Sequence, residues 1–205
     1  MSEPKDRVSR RNFLKGVGTG VAGAGAVAGT AVPLMEETAQ AAETGAIGPG
    51  PVPIELRVNG KTYQLEAEPR ETLLDVLRNR LDITGAKQVC NMANCGACTV
   101  YLDGKTVNAC MLLAVRAQGK EITTIEGLPK DKGLHPVQKA FIDADAMQCG
   151  FCTPGFVMSM AAVFEKNPNA SLIEIKEGIA GHICRCGTYT QIFHAADLVK
   201  QKHGG

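Results

Sequence analysis

The chain has 205 residues, with 22 Lys and Arg against 21 Asp and Glu and a formal net charge of +1. That balance supplies no basic field of the kind that holds nucleic acid, so a nucleic-acid-binding role is set aside. Only 4% of residues are aromatic and Trp is absent; small domains with such thin cores need another staple, and eight cysteines are the obvious candidates.

In chain order, Ser9-Arg10-Arg11-Asn12-Phe13-Leu14-Lys15 precedes a Gly/Ala-rich run over residues 16–32 and then Ala39-Gln40-Ala41, a small-residue cleavage pattern. Segment 1–41 resembles a twin-arginine export signal. Gly and Ala offer too little apolar area to span a bilayer well, so no membrane span is expected. The signal implies a periplasmic protein that folds and acquires its cofactors before export. Residues 42–52, rich in Gly and Pro and without periodicity, read as a linker.

A first domain is expected over 53–127. Ile54-Glu55-Leu56-Arg57-Val58 alternates apolar and polar, Asn59-Gly60 is a hairpin turn, and Tyr63-Gln64-Leu65-Glu66 resumes the alternation. Thr72 can cap a helix whose apolar positions Leu73, Leu74, Val76, Leu77 and Leu81 keep a helical period. After a cysteine-bearing loop, residues 99–102, the turn Asp103-Gly104 and residues 105–107 suggest a second hairpin, with a further strand over 121–125. Strands around one helix make a small α+β domain.

From 128 to 205 the composition turns helical. Pro136 suits a first helical position ahead of Val137, Ala140, Phe141 and Ala144. Thr153-Pro154 reads as an N-cap and first turn of a helix stopped by Asn167-Pro168. Ser171-Leu172-Ile173-Glu174 is a capping box for a helix ended by Gly181, and residues 189–202 form a fourth helix with Ile192, Phe193, Ala196 and Val199 on one face. A four-helix bundle is expected.

The cysteines divide into two sets of four, one per domain. Cys90, Cys95, Cys98 and Cys110 follow the C-x4-C-x2-C spacing, with a fourth ligand further on, of plant-type [2Fe–2S] sites. Such a loop must turn its N–H groups toward the anionic cluster, which small Gly96 and Ala97 permit and for which Asn91 and Asn94 tolerate left-handed backbone angles. In the second set, Cys149 and Cys152 stand just before one expected helix, and Cys184 and Cys186 just before another. Helix N-termini carry unpaired N–H groups and partial positive charge, so one anionic cluster could bridge the two. An extended Cys184-Arg185-Cys186 would put both sulfurs on one side and Arg185 on the other. Disulfides and zinc are the competing uses of eight cysteines in an exported protein. A C-x-C pair closes an internal bridge poorly, however, and the first spacing is a poor disulfide framework.

The runs Cys95-Gly96-Ala97-Cys98-Thr99-Val100, Gln148-Cys149-Gly150-Phe151-Cys152-Thr153-Pro154-Gly155 and Cys184-Arg185-Cys186 resemble the iron–sulfur subunit of the xanthine oxidase family of molybdenum hydroxylases. The resemblance implies a β-grasp ferredoxin domain followed by a pseudo-twofold helical bundle. It also implies a large molybdopterin-binding partner, nearest the cluster of Cys149, Cys152, Cys184 and Cys186, with Gln148 and Cys186 touching the pterin edge. Electrons would pass through this cluster to the plant-type one and on to a FAD subunit or a cytochrome c, while substrate chemistry, and any catalytic residue, stays in the partner. Asn91-Met92-Ala93-Asn94 replaces a stretch that is glycine-rich in many members. Cys186-Gly187-Thr188-Tyr189 replaces Cys-Thr-Gly-Tyr, a variant that looks like the exported aldehyde oxidoreductases and the bacterial N-heterocycle hydroxylases of isoquinoline type; the export signal favours the aldehyde group. The alternatives are a zinc- or disulfide-stapled exported adaptor and a freestanding ferredoxin. His182 is expected at the surface or as a cap, since four thiolates leave it no ligand role. His135 reads as a helix-entry residue, and Met158 and Met160 as core.

Overall fold

The computed structural model describes residues 50–129 and 133–203; the expected export signal and most of the linker lie outside them. Strand β1 (Val52–Val58) buries Ile54, Leu56 and Val58 and exposes the residues between, the period-2 pattern of a strand with one covered face. Asn59 and Gly60, both at positive φ (52° and 74°), turn it into β2 (Lys61–Ala67), its antiparallel partner. Asp103 (φ 49°) and Gly104 (φ 75°) do the same between β3 (Thr99–Leu102) and β4 (Lys105–Asn108). Both turns need left-handed angles at two successive positions, which Asn-Gly and Asp-Gly supply. Strand β5 (Glu121–Thr123) runs parallel to β1 and antiparallel to β3, giving the order β2-β1-β5-β3-β4. The fifth strand is shorter than expected, because a 3-10 turn takes over at Ile125–Gly127.

Helix α1 (Leu73–Asn79) opens with a Thr72–Asp75 capping box and buries Leu73, Leu74, Val76 and Leu77 in a core shared with β1, Val100 and Ile122. The second core belongs to four helices: α2 (Pro136–Asp143), α3 (Thr153–Lys166), α4 (Leu172–Gly178) and α5 (Tyr189–His203). Helix α2 packs on α5 and α3, and α3 packs on α4. Met158 and Met160 are fully buried in this core, and His135 caps α2 with its ring nitrogen accepting from the Val137 N–H at 3.2 Å.

Helix α1 stops at Asn79 with Arg80 as its C-cap, leaving Leu81 outside it, and the ends of α3 and α4 also differ from expectation. The N-cap of α3 is Cys152 rather than Thr153, and it makes no side-chain cap bond. Pro154, which lacks an N–H to satisfy, is tolerated anywhere in that first turn, so the helix starts one residue earlier than the Thr-Pro pair suggests. Helix α4 stops at Gly178 rather than near Gly181, with Ile179 as its C-cap.

The described residues fall in one compact unit, and β3 is the seam between the cores. Tyr101, on β3, is buried within the helical core and donates its hydroxyl to the Met158 carbonyl at 2.8 Å.

Candidate iron–sulfur sites

Residues 90–98 wrap a loop between α1 and β3. Arg78 holds its approach by donating to the carbonyls of Thr84 (2.7 Å) and Ala86 (2.9 Å). Within the loop Asn91 (φ 55°), Ala93 (φ 58°) and Gly96 (φ 69°) are left-handed. Asn91 and Gly96 take the angles their residue types favour, but Ala93 does so in place of the expected Asn94. The reason is a hydrogen bond: the Ala93 N–H points at Cys110 Sγ, 3.3 Å away. Cys110 lies just past β4, and the Asn108 amide, 3.4 Å from the Ala93 carbonyl, ties the same loop to that strand.

The four thiols of this set meet in two pairs, Cys90 with Cys95 and Cys98 with Cys110. Cys90 is brought down to about 7, chiefly by the Met92 N–H, with smaller help from the Cys95 thiol and from the Asn94 and Cys95 N–H groups. Burial pushes Cys98 up to about 12, reinforced by the neighbouring Cys110 thiol. Cys95, Cys98 and Cys110 are buried and Cys90 is half-buried.

The second set is also brought together as two pairs. Cys186 Sγ lies 3.4 Å from Cys149 Sγ, and both residues are exposed; Cys152 and Cys184 form the other pair, both buried. Cys149 is lowered first by the Phe151 N–H and then by the Cys186 thiol. For Cys186 the Cys149 backbone acts downward, but the Cys149 thiol and burial together leave it raised. Burial, with the Cys184 thiol, pushes Cys152 up to about 12. Cys184 moves the other way: burial opposes ionisation, yet the Thr188 hydroxyl and N–H, the Cys152 thiol and the Gly187 N–H bring it down to about 7. Gly187 (φ 82°) and buried Thr188 explain the Gly-Thr order: the first position needs a left-handed residue, and the second puts Oγ1 3.2 Å from Cys184 Sγ. The Tyr189 hydroxyl accepts from the Cys184 N–H at 2.9 Å.

All eight cysteines are free thiols. Among the described residues no three His, Cys, Asp or Glu side chains converge on a point that could hold one metal ion. A structural zinc asks for four ligands around one point, whereas a binuclear cluster asks for two thiolates on each of two irons. Two pairs, twice over, fit the second demand. In each half of the second set one thiol is pushed toward ionisation and its partner away from it; as cluster ligands all four would be thiolates. The buried Thr153 Oγ1, directly after Cys152, has no hydrogen-bond partner; a cluster sulfur on that side would satisfy it.

Gln148, Cys149, Phe151 and Cys186 are exposed, and Phe151 keeps 53% of its surface open. On the inner side the Ile183 N–H donates to the Cys95 carbonyl at 3.1 Å, joining the two cysteine loops directly. His182, expected at the surface or as a cap, is instead half-buried between those loops, with Nε2 3.2 Å from Thr99 Oγ1 and 3.1 Å from Ser159 Oγ. Burial lowers its pKa, opposed by the Ile179 carbonyl. No local sequence signal marks this, because Thr99 is 83 residues away. A cleft of about 290 Å³, lined by His182, Ser159, Thr99 and Asn108 among others, borders the ring. A wider one, about 430 Å³, lies along β1 and β2 between Ile54 and Leu65, with no cysteine in its wall.

Two thiol-paired sites on successive subfolds define a protein of two [2Fe–2S]-binding domains. Family comparison agrees: residues 56–124 match the 2Fe-2S iron-sulfur cluster binding domain and residues 124–197 the [2Fe-2S] binding domain. The aldehyde oxidoreductase iron-sulfur-binding subunit PaoA of Escherichia coli K12 is 43% identical, over 95% of this chain and 90% of its own length. The nicotine 6-hydroxylase small subunit of Paenarthrobacter nicotinovorans is 43% identical over 70% of this chain and 87% of its own. Among solved structures, a chain of quinoline 2-oxidoreductase from Pseudomonas putida 86 superposes with a TM-score of 0.70 at 37% identity, covering 74% of this chain and 94% of that one. The aldehyde oxidoreductase of Desulfovibrio gigas gives 0.68 at 38% identity, covering 75% of this chain and 17% of that much longer one. The chain belongs to the iron–sulfur subunits of the xanthine oxidase family of molybdenum hydroxylases, and it serves electron transfer in an oxidoreductase.

Proposed function

We propose that this chain is the electron-transfer subunit of a heteromeric molybdenum-dependent aldehyde oxidoreductase. Cys90, Cys95, Cys98 and Cys110 hold one [2Fe–2S] cluster in a β-grasp domain spanning 53–127. Cys149, Cys152, Cys184 and Cys186 hold the other in a four-helix bundle spanning 128–205. The observation that carries this reading is the pairwise meeting of the thiols, with an exposed pair and a buried pair in the second set. It gives the wire a direction. The Cys149–Cys186 pair, beside exposed Gln148 and Phe151, faces the pterin edge and the large molybdopterin-binding subunit. The Cys152–Cys184 pair faces inward, where the Ile183–Cys95 hydrogen bond leads to the first cluster. Half-buried Cys90 is the exit toward a FAD subunit or a cytochrome c. When bound, the clusters accept and release single electrons; the chain supplies thiolates, N–H donors, distance and burial.

Variants of the complex test the assignment. Cys110→Ser should remove one reduced-cluster EPR signal and Cys186→Ser the other, each leaving about two of about four irons, as expected for independent binuclear sites. Retention of both signals in either variant would reject that ligand set.

The quinoline 2-oxidoreductase superposition supports a second reading, a subunit of an N-heterocycle hydroxylase. Turnover of an aldehyde but not of an N-heterocycle by the assembled enzyme separates the two. We further propose that segment 1–41 exports the folded, cluster-loaded chain to the periplasm by the twin-arginine route. Replacing Arg10 and Arg11 by Lys should leave the protein in the cytoplasm, and unchanged export would contradict this.

A further inference from the structure

His182 stands between the two cysteine loops without a ligand role to account for it. Its Nδ1 lies 3.2 Å from the Ile179 carbonyl, which can only accept, so Nδ1 carries the proton and Nε2 is an acceptor. Two hydroxyls approach Nε2. Thr99, the residue after Cys98, already donates to the Gly96 carbonyl at 2.7 Å, which leaves Ser159 on α3 as the donor to the ring. The Phe156 ring flanks the imidazole with centroids 5.2 Å apart.

Two glycines make room for this ring. A Cβ on Gly96 would fall on the imidazole, and a Cβ on Gly155 would meet both the Gly96 carbonyl and the ring. The imidazole therefore touches the first loop at Gly96 and Thr99 and the second subfold at Ser159 and Phe156. The residue after it, Ile183, hydrogen-bonds the Cys95 carbonyl, and the next is Cys184. The ring also borders the cleft of about 290 Å³, so it is no simple core filler.

We propose that His182 is the positioning residue that sets the spacing of the two clusters: a peg seated against Gly96, Thr99 and Ser159 that holds the Cys95 carbonyl on the Ile183 N–H. It would act through geometry and not as a ligand, while one electron at a time leaves the reduced second cluster and arrives on the oxidised first. The proposal rests on the ligand assignment above, which the unmodified complex tests separately through its iron content and its two EPR signals.

The experiment compares the complex with His182→Ala, His182→Gln and Ser159→Ala. Its readouts are iron content, the magnetic splitting between the two reduced clusters, and the rate at which the first cluster is reduced after the second. His182→Ala should keep full iron and both signals but lose or narrow the splitting and slow the transfer severalfold. His182→Gln, whose amide reaches toward Ser159, should restore most of both. Ser159→Ala, a mild change in α3, should shift them in the same direction but less. An iron-replete His182→Ala with unchanged splitting and rate would overturn the proposal. So would loss of iron from both His182→Ala and Ser159→Ala, which would make the ring a requirement for folding instead.

Discussion

Ala93 holds φ at 58°, an angle that costs an L-residue other than Gly or Asn about 1–2 kcal/mol. The angle is kept because it aims the Ala93 N–H at Cys110 Sγ. Ala93→Gly removes the steric cost and should bleach no faster in urea than the parent protein, whereas β-branched Ala93→Val should bleach the first cluster faster. Faster bleaching of Ala93→Gly would show that the strain has no bearing on cluster retention. At this scale the grouping and spacing of the cysteines were legible and the contacts that support their loops were not. Cysteine spacing follows from sequence alone, but the choice of Ala93 over Asn94, or the seating of His182, depends on partners 17 and 83 residues away. Asn59 teaches the same lesson: Asn-Gly announces the turn, yet its amide also exchanges hydrogen bonds of 2.9 Å with Thr124, 65 residues on.

Helix α4 is short, and its ends matter in proportion. Ser171 and Glu174 satisfy each other's N–H groups at 3.2 Å and 2.7 Å, and Asn167 adds a bond of 3.0 Å to the carboxylate. Ser171→Ala should cost about 1 kcal/mol, the usual worth of an N-cap, seen as faster amide exchange confined to α4. Glu174 is held below the usual carboxylate value first by the Ser171 N–H, then by its hydroxyl and by Asn167. A folded-state pKa below the unfolded one, about 4.3 for Glu, gives stability that is present above that value and lost as pH falls through the folded value. Exchange in α4 should therefore quicken in acid, and Glu174→Gln should flatten that response. The helix starts were legible because caps are written in consecutive residues, Thr72 to Asp75 and Ser171 to Glu174. The start of α3 differs by one because Cys152 caps it without a side-chain bond, leaving no capping residue to read.

In the whole molecule, β3 binds the two subfolds. Composition and cysteine grouping mark two domains in the sequence, but not that Tyr101 of the sheet is buried in the helical core. Burial drives its hydroxyl far up the pKa scale, so it stays a neutral donor to the Met158 carbonyl. Tyr101→Phe should lower stability by about 1 kcal/mol, the typical net worth of one such bond, without altering either cluster's EPR signal. The seam matters because it brings the inner thiol pair of one site beside the loop of the other, the physical basis for reading this chain as a two-station wire. The most direct measurement is the iron content and the reduced EPR spectrum of the purified complex. About four irons per chain and two distinct [2Fe–2S] signals are predicted from two binuclear sites. Two irons or fewer in well-folded protein, a single signal, or zinc in place of iron would contradict it.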